Sequence, residues 1–172
     1  MAESQKNLWA PWRMAYLDEM KTLREPGGCF LCRYAADPAN DASNFVLNRS
    51  SNVLVLLNRY PYSNGHVMVA PCAHVARFDD VAEPVLLEMT QRIRDAQRIL
   101  REVVAAEGFN IGMNLGTCAG AGLPDHLHWH VVPRWTGDTN YMGIVGDVRV
   151  VPQSLADTCA RYRAAAARLG LA

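Results

Sequence analysis

Three histidines at alternate positions, His126, His128 and His130, constrain this chain more than any other feature. Leu127 and Trp129 separate them, and Val131 and Val132 follow. Successive side chains of a strand point to opposite faces, so the imidazoles share one face while Leu127, Trp129 and Val131 pack the other. Imidazoles buried side by side each need hydrogen-bond partners, which makes packing alone a poor use for them. The plainer alternatives are a surface strand with chance histidines and a bare metal site. The chemical reading starts from the free imidazole pKa of about 6.5, which leaves a neutral nucleophile at pH 7. Such a nucleophile is aimed by a hydrogen bond from its other ring nitrogen, and neighbouring histidines donate to phosphate oxygens.

The segment before the histidines supports that chemistry. Residues 116–122 read Gly-Thr-Cys-Ala-Gly-Ala-Gly, a small-residue loop whose backbone N–H groups suit an anion. Apolar periodicity places strands at 45–48, 52–58, 66–70, 109–115 and 126–132, with an edge strand at 141–151. A helix over 84–106 carries the apolar stripe Leu86, Met89, Ile93, Ala96, Leu100 and Val103, and Gly108 is read as its stop. A second helix spans 154–169. Trp9, Trp12 and Tyr16 lie at helical spacing after Pro11 and are read as packing anchors of an N-terminal arm. This order predicts an α+β fold with a mostly antiparallel sheet of about five strands, one long helix and a C-terminal helix.

Composition narrows the partners. With 17 basic and 17 acidic residues the formal net charge is zero, which gives no general grip on a long nucleic acid. The apolar run 53–57 is too short to span a bilayer, and no targeting segment stands out, so the expectation is a cytoplasmic protein away from membranes. Five cysteines form no dense disulfide framework. Cys29 and Cys32 read as metal ligands or as buried thiols, and spacing alone does not choose between them.

The run 126–132 resembles the His-φ-His-φ-His-φ-φ signature of the histidine-triad (HIT) superfamily, φ being an apolar residue. The resemblance extends roughly from Cys29 to Trp135, through Asn58, the element Gly65-His66-Val67-Met68-Val69-Ala70-Pro71 and the loop from Asn114 to Gly122. The opening Leu8-Trp9-Ala10-Pro11-Trp12-Arg13, with Asn114-Leu115-Gly116 and Val132-Pro133-Arg134-Trp135, is most similar to the bacterial diadenosine tetraphosphate phosphorylase/hydrolase-like branch. It implies a HIT-like fold in one domain over 1–172, with an arm at 1–28, a core at 29–135 and a closing strand and helix at 136–172.

The resemblance implies an enzyme in which His128 attacks the α-phosphorus of a nucleoside polyphosphate, with an adenine nucleotide expected, and forms a nucleotidyl-histidine. Water as acceptor makes a hydrolase, and inorganic phosphate makes a phosphorylase. A nucleoside phosphoramidate hydrolase or a nucleotidyltransferase uses the same chemistry; a non-catalytic, zinc-scaffolded nucleotide-binding module is the reading from another class. By motif position His130 donates to a phosphate oxygen, His66 supports the site, Asn58 contacts ribose and Asn114 contacts phosphate or leaving group. Many relatives place a Gln-Ser or Gln-Thr pair before the triad, where this chain has Ala121-Gly122-Leu123-Pro124-Asp125. Backbone N–H groups, those of Gly120 and Gly122 among them, are therefore expected to hold the phosphate. Some bacterial members complete a structural zinc site at positions that correspond to Cys29, Cys32, His74 and His126. A homodimer or higher homo-oligomer is also implied.

Overall fold

The computed structural model describes residues 28–138 and 151–171. The expected aromatic arm and nearly all of the edge strand at 141–151 lie outside them. Five strands, β1 (Val46–Arg49), β2 (Val53–Leu57), β3 (Val67–Pro71), β4 (Gly108–Gly112) and β5 (Trp129–Arg134), form one sheet in the order β1-β2-β3-β5-β4. Every neighbouring pair is antiparallel. With helices α1 (Phe30–Ala36), α2 (Glu83–Val103) and α3 (Leu155–Arg168), this is the expected α+β fold.

The central strands explain the layering. Every residue of β2 and β3 is buried, so both faces of the sheet are covered there. Val53, Val55, Leu57, Val67 and Val69 join Met89, Ile93, Ala96 and Leu100 of α2 and Tyr162 and Ala165 of α3 in the larger core. The alternate residues Leu54, Leu56, Met68 and Ala70 meet Leu31 and Tyr34 of α1 in a smaller core on the opposite face. Pairing of Met68 with His130 sets the imidazoles beside this smaller core. Thus α1 covers part of that face, and the histidines occupy another part.

Local chemistry adjusts the expected boundaries. The histidine ladder begins at Trp129 rather than at residue 126, because the Leu127 N–H turns to the Val75 carbonyl (2.8 Å). The face alternation persists regardless: Leu127, Trp129 and Val131 all enter the larger core. Strand β4 accordingly stops at Gly112, opposite His130, instead of running to Leu115. β5 runs through Pro133 to Arg134, beyond the expected end at 132. The Pro133 carbonyl accepts from the Ser63 hydroxyl (2.8 Å) beyond the start of β3, so the missing N–H falls where no ladder partner is needed.

Helix α1 was not among the predicted elements. Seven residues give too few turns for a periodic signal, and an isolated helix of that length is marginal. Tertiary contacts hold it: Leu31 and Tyr34 are buried, and the Arg49 guanidinium donates to the Tyr34 and Ala35 carbonyls (both 2.9 Å). Arg49 also pairs with Asp41, so one side chain ties the helix end to the sheet.

Helix α2 ends at Val103, three residues before the expected stop, and Gly108 opens β4 instead of capping the helix. The reversal falls on Ala105, which adopts a left-handed φ of 51°. That conformation costs a residue with a Cβ about 1 kcal/mol. Ala105→Gly is expected to stabilise the protein by about 0.5–1 kcal/mol and raise Tm by roughly 1–4 °C, read by thermal denaturation.

Candidate active site

The starts of β3 and β5 bring three histidines together. His66 precedes β3, and its approach is set by Gly65, whose φ is +74°. A Cβ at Gly65 would lie 3.1 Å from Leu100 Cδ2 and 3.5 Å from Pro133 Cγ, so close packing and backbone conformation both require glycine. His128 and His130 stand edge to face with centroids 4.9 Å apart, and His66 lies 5.1 Å from His130.

The hydrogen bonds assign the ring protons. His128 Nδ1 is 3.0 Å from the His126 carbonyl, and a carbonyl only accepts, so Nδ1 carries the proton and Nε2 keeps its lone pair. His66 Nδ1 faces two N–H donors, the Tyr62 main chain (3.1 Å) and the Asn58 side-chain amide (3.3 Å), which together put the neutral ring's proton on Nε2. That Nε2–H donates to His130 Nδ1 (3.0 Å), leaving His130 with an Nε2–H. Adjacent imidazoles therefore offer opposite atoms, a bare nitrogen on His128 and an N–H on His130. This pair is suited to attack phosphorus while donating to an oxygen on it.

Burial keeps His128 and His130 neutral. His128 is 9% exposed, and desolvation lowers its pKa against a smaller upward pull from the His126 carbonyl. His130 is pushed down to about 4, by desolvation first and by repulsion from His128 second.

A second cluster adjoins the first. One ligand atom from each of Cys29, Cys32, His74 and His126 lies within 4.8 Å of every other. His126 Nδ1 is 3.1 Å from Cys29 Sγ and 3.4 Å from Cys32 Sγ, and His74 Nδ1 is 3.2 Å from Cys32 Sγ. Tetrahedral zinc with two sulfurs and two nitrogens spaces its donors by roughly 3.3–3.8 Å, close to these separations. The His126 Nε2–H donates to the Pro71 carbonyl (2.8 Å), which leaves Nδ1 as the lone-pair atom facing the sulfurs. Burial, opposed by a backbone N–H and reinforced by neighbouring Cys32, pushes the Cys29 thiol up to about 11. A bound dication would reverse that by stabilising the thiolates. The donor set fits a four-coordinate zinc.

The remaining expected residues take varied positions. Asn58 is buried behind His66, with its Nδ2 3.3 Å from His66 Nδ1 and its Oδ1 accepting the Tyr60 N–H (2.9 Å). Asn114 follows β4 two residues beyond Gly112, is half-buried, and its side chain has no hydrogen-bond partner among the described residues. The Gly120 N–H closes a 3-10 turn onto the Thr117 carbonyl (3.0 Å), whereas Gly122 makes no hydrogen bond among the described residues. Tyr62 was not singled out by sequence. Its ring lies 4.7 Å from His66 and 5.6 Å from His130, and its place in a Tyr-Pro-Tyr loop four residues before His66 was the available signal.

Comparison with known proteins gives consistent matches. Residues 39–137 match the family model described as the HIT domain. Over 162 residues the chain is 40% identical to the AP-4-A phosphorylase of Mycobacterium tuberculosis, covering 89% of this chain and 80% of that protein. It is 32% identical over 93 residues to the asymmetrical bis(5′-nucleosyl)-tetraphosphatase of Schizosaccharomyces pombe, covering 54% of this chain and 50% of that one. Among solved structures, a Zn-bound histidine triad family protein from Mycobacterium smegmatis superposes with a TM-score of 0.68 at 28% identity, covering 83% of this chain and 96% of that one.

The depressed His130 pKa has a consequence for stability. A folded value of about 4 lies below the unfolded value of about 6.5, so between them the unfolded chain binds a proton that the folded chain refuses. Stability contributed by this neutral ring is complete above about pH 6.5 and declines as pH falls toward 4. Urea denaturation at pH 7.5 and pH 5 should show a loss of about 2 kcal/mol from His130, a component that His130→Asn removes.

Proposed function

The chain belongs to the HIT family, and we propose that it cleaves dinucleoside polyphosphates such as diadenosine tetraphosphate through a nucleotidyl-His128 intermediate. The observation that carries this reading is the opposite protonation of two adjacent rings, bare Nε2 on His128 and Nε2–H on His130. The His128 Nε2 lone pair forms a bond to the α-phosphorus, and the bond from that phosphorus to the bridging oxygen breaks. The electron pair leaves with the departing nucleotide. His130 Nε2–H steadies a non-bridging oxygen, and the His126 carbonyl, still holding Nδ1–H, stabilises the positive charge of the substituted imidazole. An acceptor oxygen then attacks phosphorus and returns the lone pair to Nε2.

Water and inorganic phosphate are both competent acceptors in that second step. The more extensive likeness to the mycobacterial phosphorylase favours phosphate. Asn114 stands ready for a phosphate or leaving-group oxygen, and the Gly122 N–H remains available in place of the absent Gln-Ser pair. The outer edge of β4, which no strand pairs among the described residues, has Ile111 and Leu115 exposed nearby and is where we place a second copy in a homodimer. No helix among the described residues is long and apolar enough to cross a membrane.

Incubation with diadenosine tetraphosphate, with and without inorganic phosphate, tests the reaction. ADP plus ATP formed only with phosphate identifies phosphorolysis; AMP plus ATP identifies hydrolysis. His128→Ala should lower turnover by about 10³-fold or more while nucleotide binding persists. Unchanged turnover in that variant would remove His128 from the chemistry.

We assign a structural zinc to Cys29, Cys32, His74 and His126. Four protein donors leave no open position for water, so the ion would supply rigidity and not a nucleophile. Elemental analysis should give one zinc per chain, lost in Cys29→Ser together with a lower Tm. Purified wild-type protein without stoichiometric zinc would refute the assignment.

A further inference from the structure

We propose that Asn58 is a positioning residue that fixes the direction of the His66–His130 hydrogen bond, and so determines that His130 presents an N–H to the substrate. The role rests on the nucleotidyl-transfer reading above, but the geometry behind it is independent of any substrate. Asn58 sits just after β2, and its main-chain N–H pairs with the His66 carbonyl (2.9 Å), which brings the two side chains together. Its Oδ1 accepts the Tyr60 N–H at 2.9 Å. A backbone N–H requires an acceptor, so this bond fixes the amide orientation and turns Nδ2 toward His66 Nδ1, 3.3 Å away.

His66 Nδ1 thus meets two N–H donors, one from Asn58 and one from the Tyr62 main chain. A ring nitrogen facing two donors must keep its lone pair, so the neutral ring carries its proton on Nε2. Since His66 is 1% exposed, the alternative tautomer would leave buried donors pointed at an N–H, with no water to relieve them. The direction then passes down the line: His66 Nε2–H to His130 Nδ1, and His130 Nε2–H outward. Reversing the first bond reverses the last and sets a lone pair against the phosphate oxygen.

Two variants separate this role from a direct sugar contact. Asn58→Asp retains an oxygen for the Tyr60 N–H but replaces the donor at His66 with an acceptor. Asn58→Leu removes the donor and leaves the Tyr62 N–H alone in place. The first readout is the 15N spectrum of ring-labelled histidine in the free full-length protein, which reports the nitrogen bearing each proton. The wild type should show a bare Nδ1 on both His66 and His130. The Asp variant should place a proton on His66 Nδ1, and the Leu variant should give a mixture of tautomers. The second readout is kinetic: kcat should fall about 100-fold in the Asp variant and about tenfold in the Leu variant, with KM within about threefold. Wild-type ring signatures in both variants would overturn the proposal, as would a raised KM at unchanged kcat, the pattern of a sugar contact. If Asn58→Asp does not fold, Asn58→Leu carries the test. If the wild type does not turn over diadenosine tetraphosphate, the proposed reaction fails, yet the spectra still decide whether Asn58 directs the pair.

Discussion

His126 meets three constraints with one residue. Its Nε2–H is held by the Pro71 carbonyl at the end of β3, its Nδ1 faces the sulfurs of Cys29 and Cys32, and its own carbonyl receives the His128 Nδ1–H. The ring is fully buried, so none of these groups is free to exchange its partner for water. The position of the nucleophile consequently depends on β3, on the short helix that carries Cys32 and follows Cys29, and on whatever fills the space among the four ligand atoms. A structural metal there would act on His128 without touching it, through the carbonyl that selects its tautomer.

The second line of control arrives from the opposite side. His66 and His130 are linked across β3 and β5, where Met68 pairs with His130, and their orientation is settled in the loop between β2 and β3. Two histidines two residues apart thereby acquire opposite hydrogen-bonding faces from unrelated parts of the chain. The His126 carbonyl sets one, and the Asn58–Tyr62 loop sets the other. Because the rings are buried, the hydrogen bonds are stronger than they would be in water and the wrong tautomer is correspondingly costly. The depressed pKa values have the same origin, since desolvation is the first cause for both His128 and His130.

Much of this was legible in the primary structure, for reasons that differ from element to element. The α2 stripe from Met89 to Val103 repeats over about four turns, so the helix was clear, while its end was not, because Ala105 takes the reversal that a glycine usually marks. The all-apolar run 53–57 stood out because both faces of β2 are covered. By contrast, α1 owes its existence to the packing of Leu31 and Tyr34 and to Arg49 reaching its last carbonyls, none of which leaves a periodic trace. The resemblance assigns Asn58 a sugar contact, and folding adds contacts of its amide with the Tyr60 N–H and with His66 that no sequence pattern announces.

What the sequence by itself determined was the inventory and the faces. Alternation put His126, His128 and His130 on one side and Leu127, Trp129 and Val131 on the other, and this partition survived even where the ladder hydrogen bonds did not form. A cysteine pair and a distant histidine supplied donors that only resemblance joined into a set. What the tertiary structure alone decided was the state of each ring: which nitrogen holds the proton, and which is bare. Tautomers are set by partners that lie far along the chain, such as Pro71 for His126 and His66 for His130. No pattern in a linear sequence encodes that choice, because it depends on which donors and acceptors the fold brings within about 3 Å of one another.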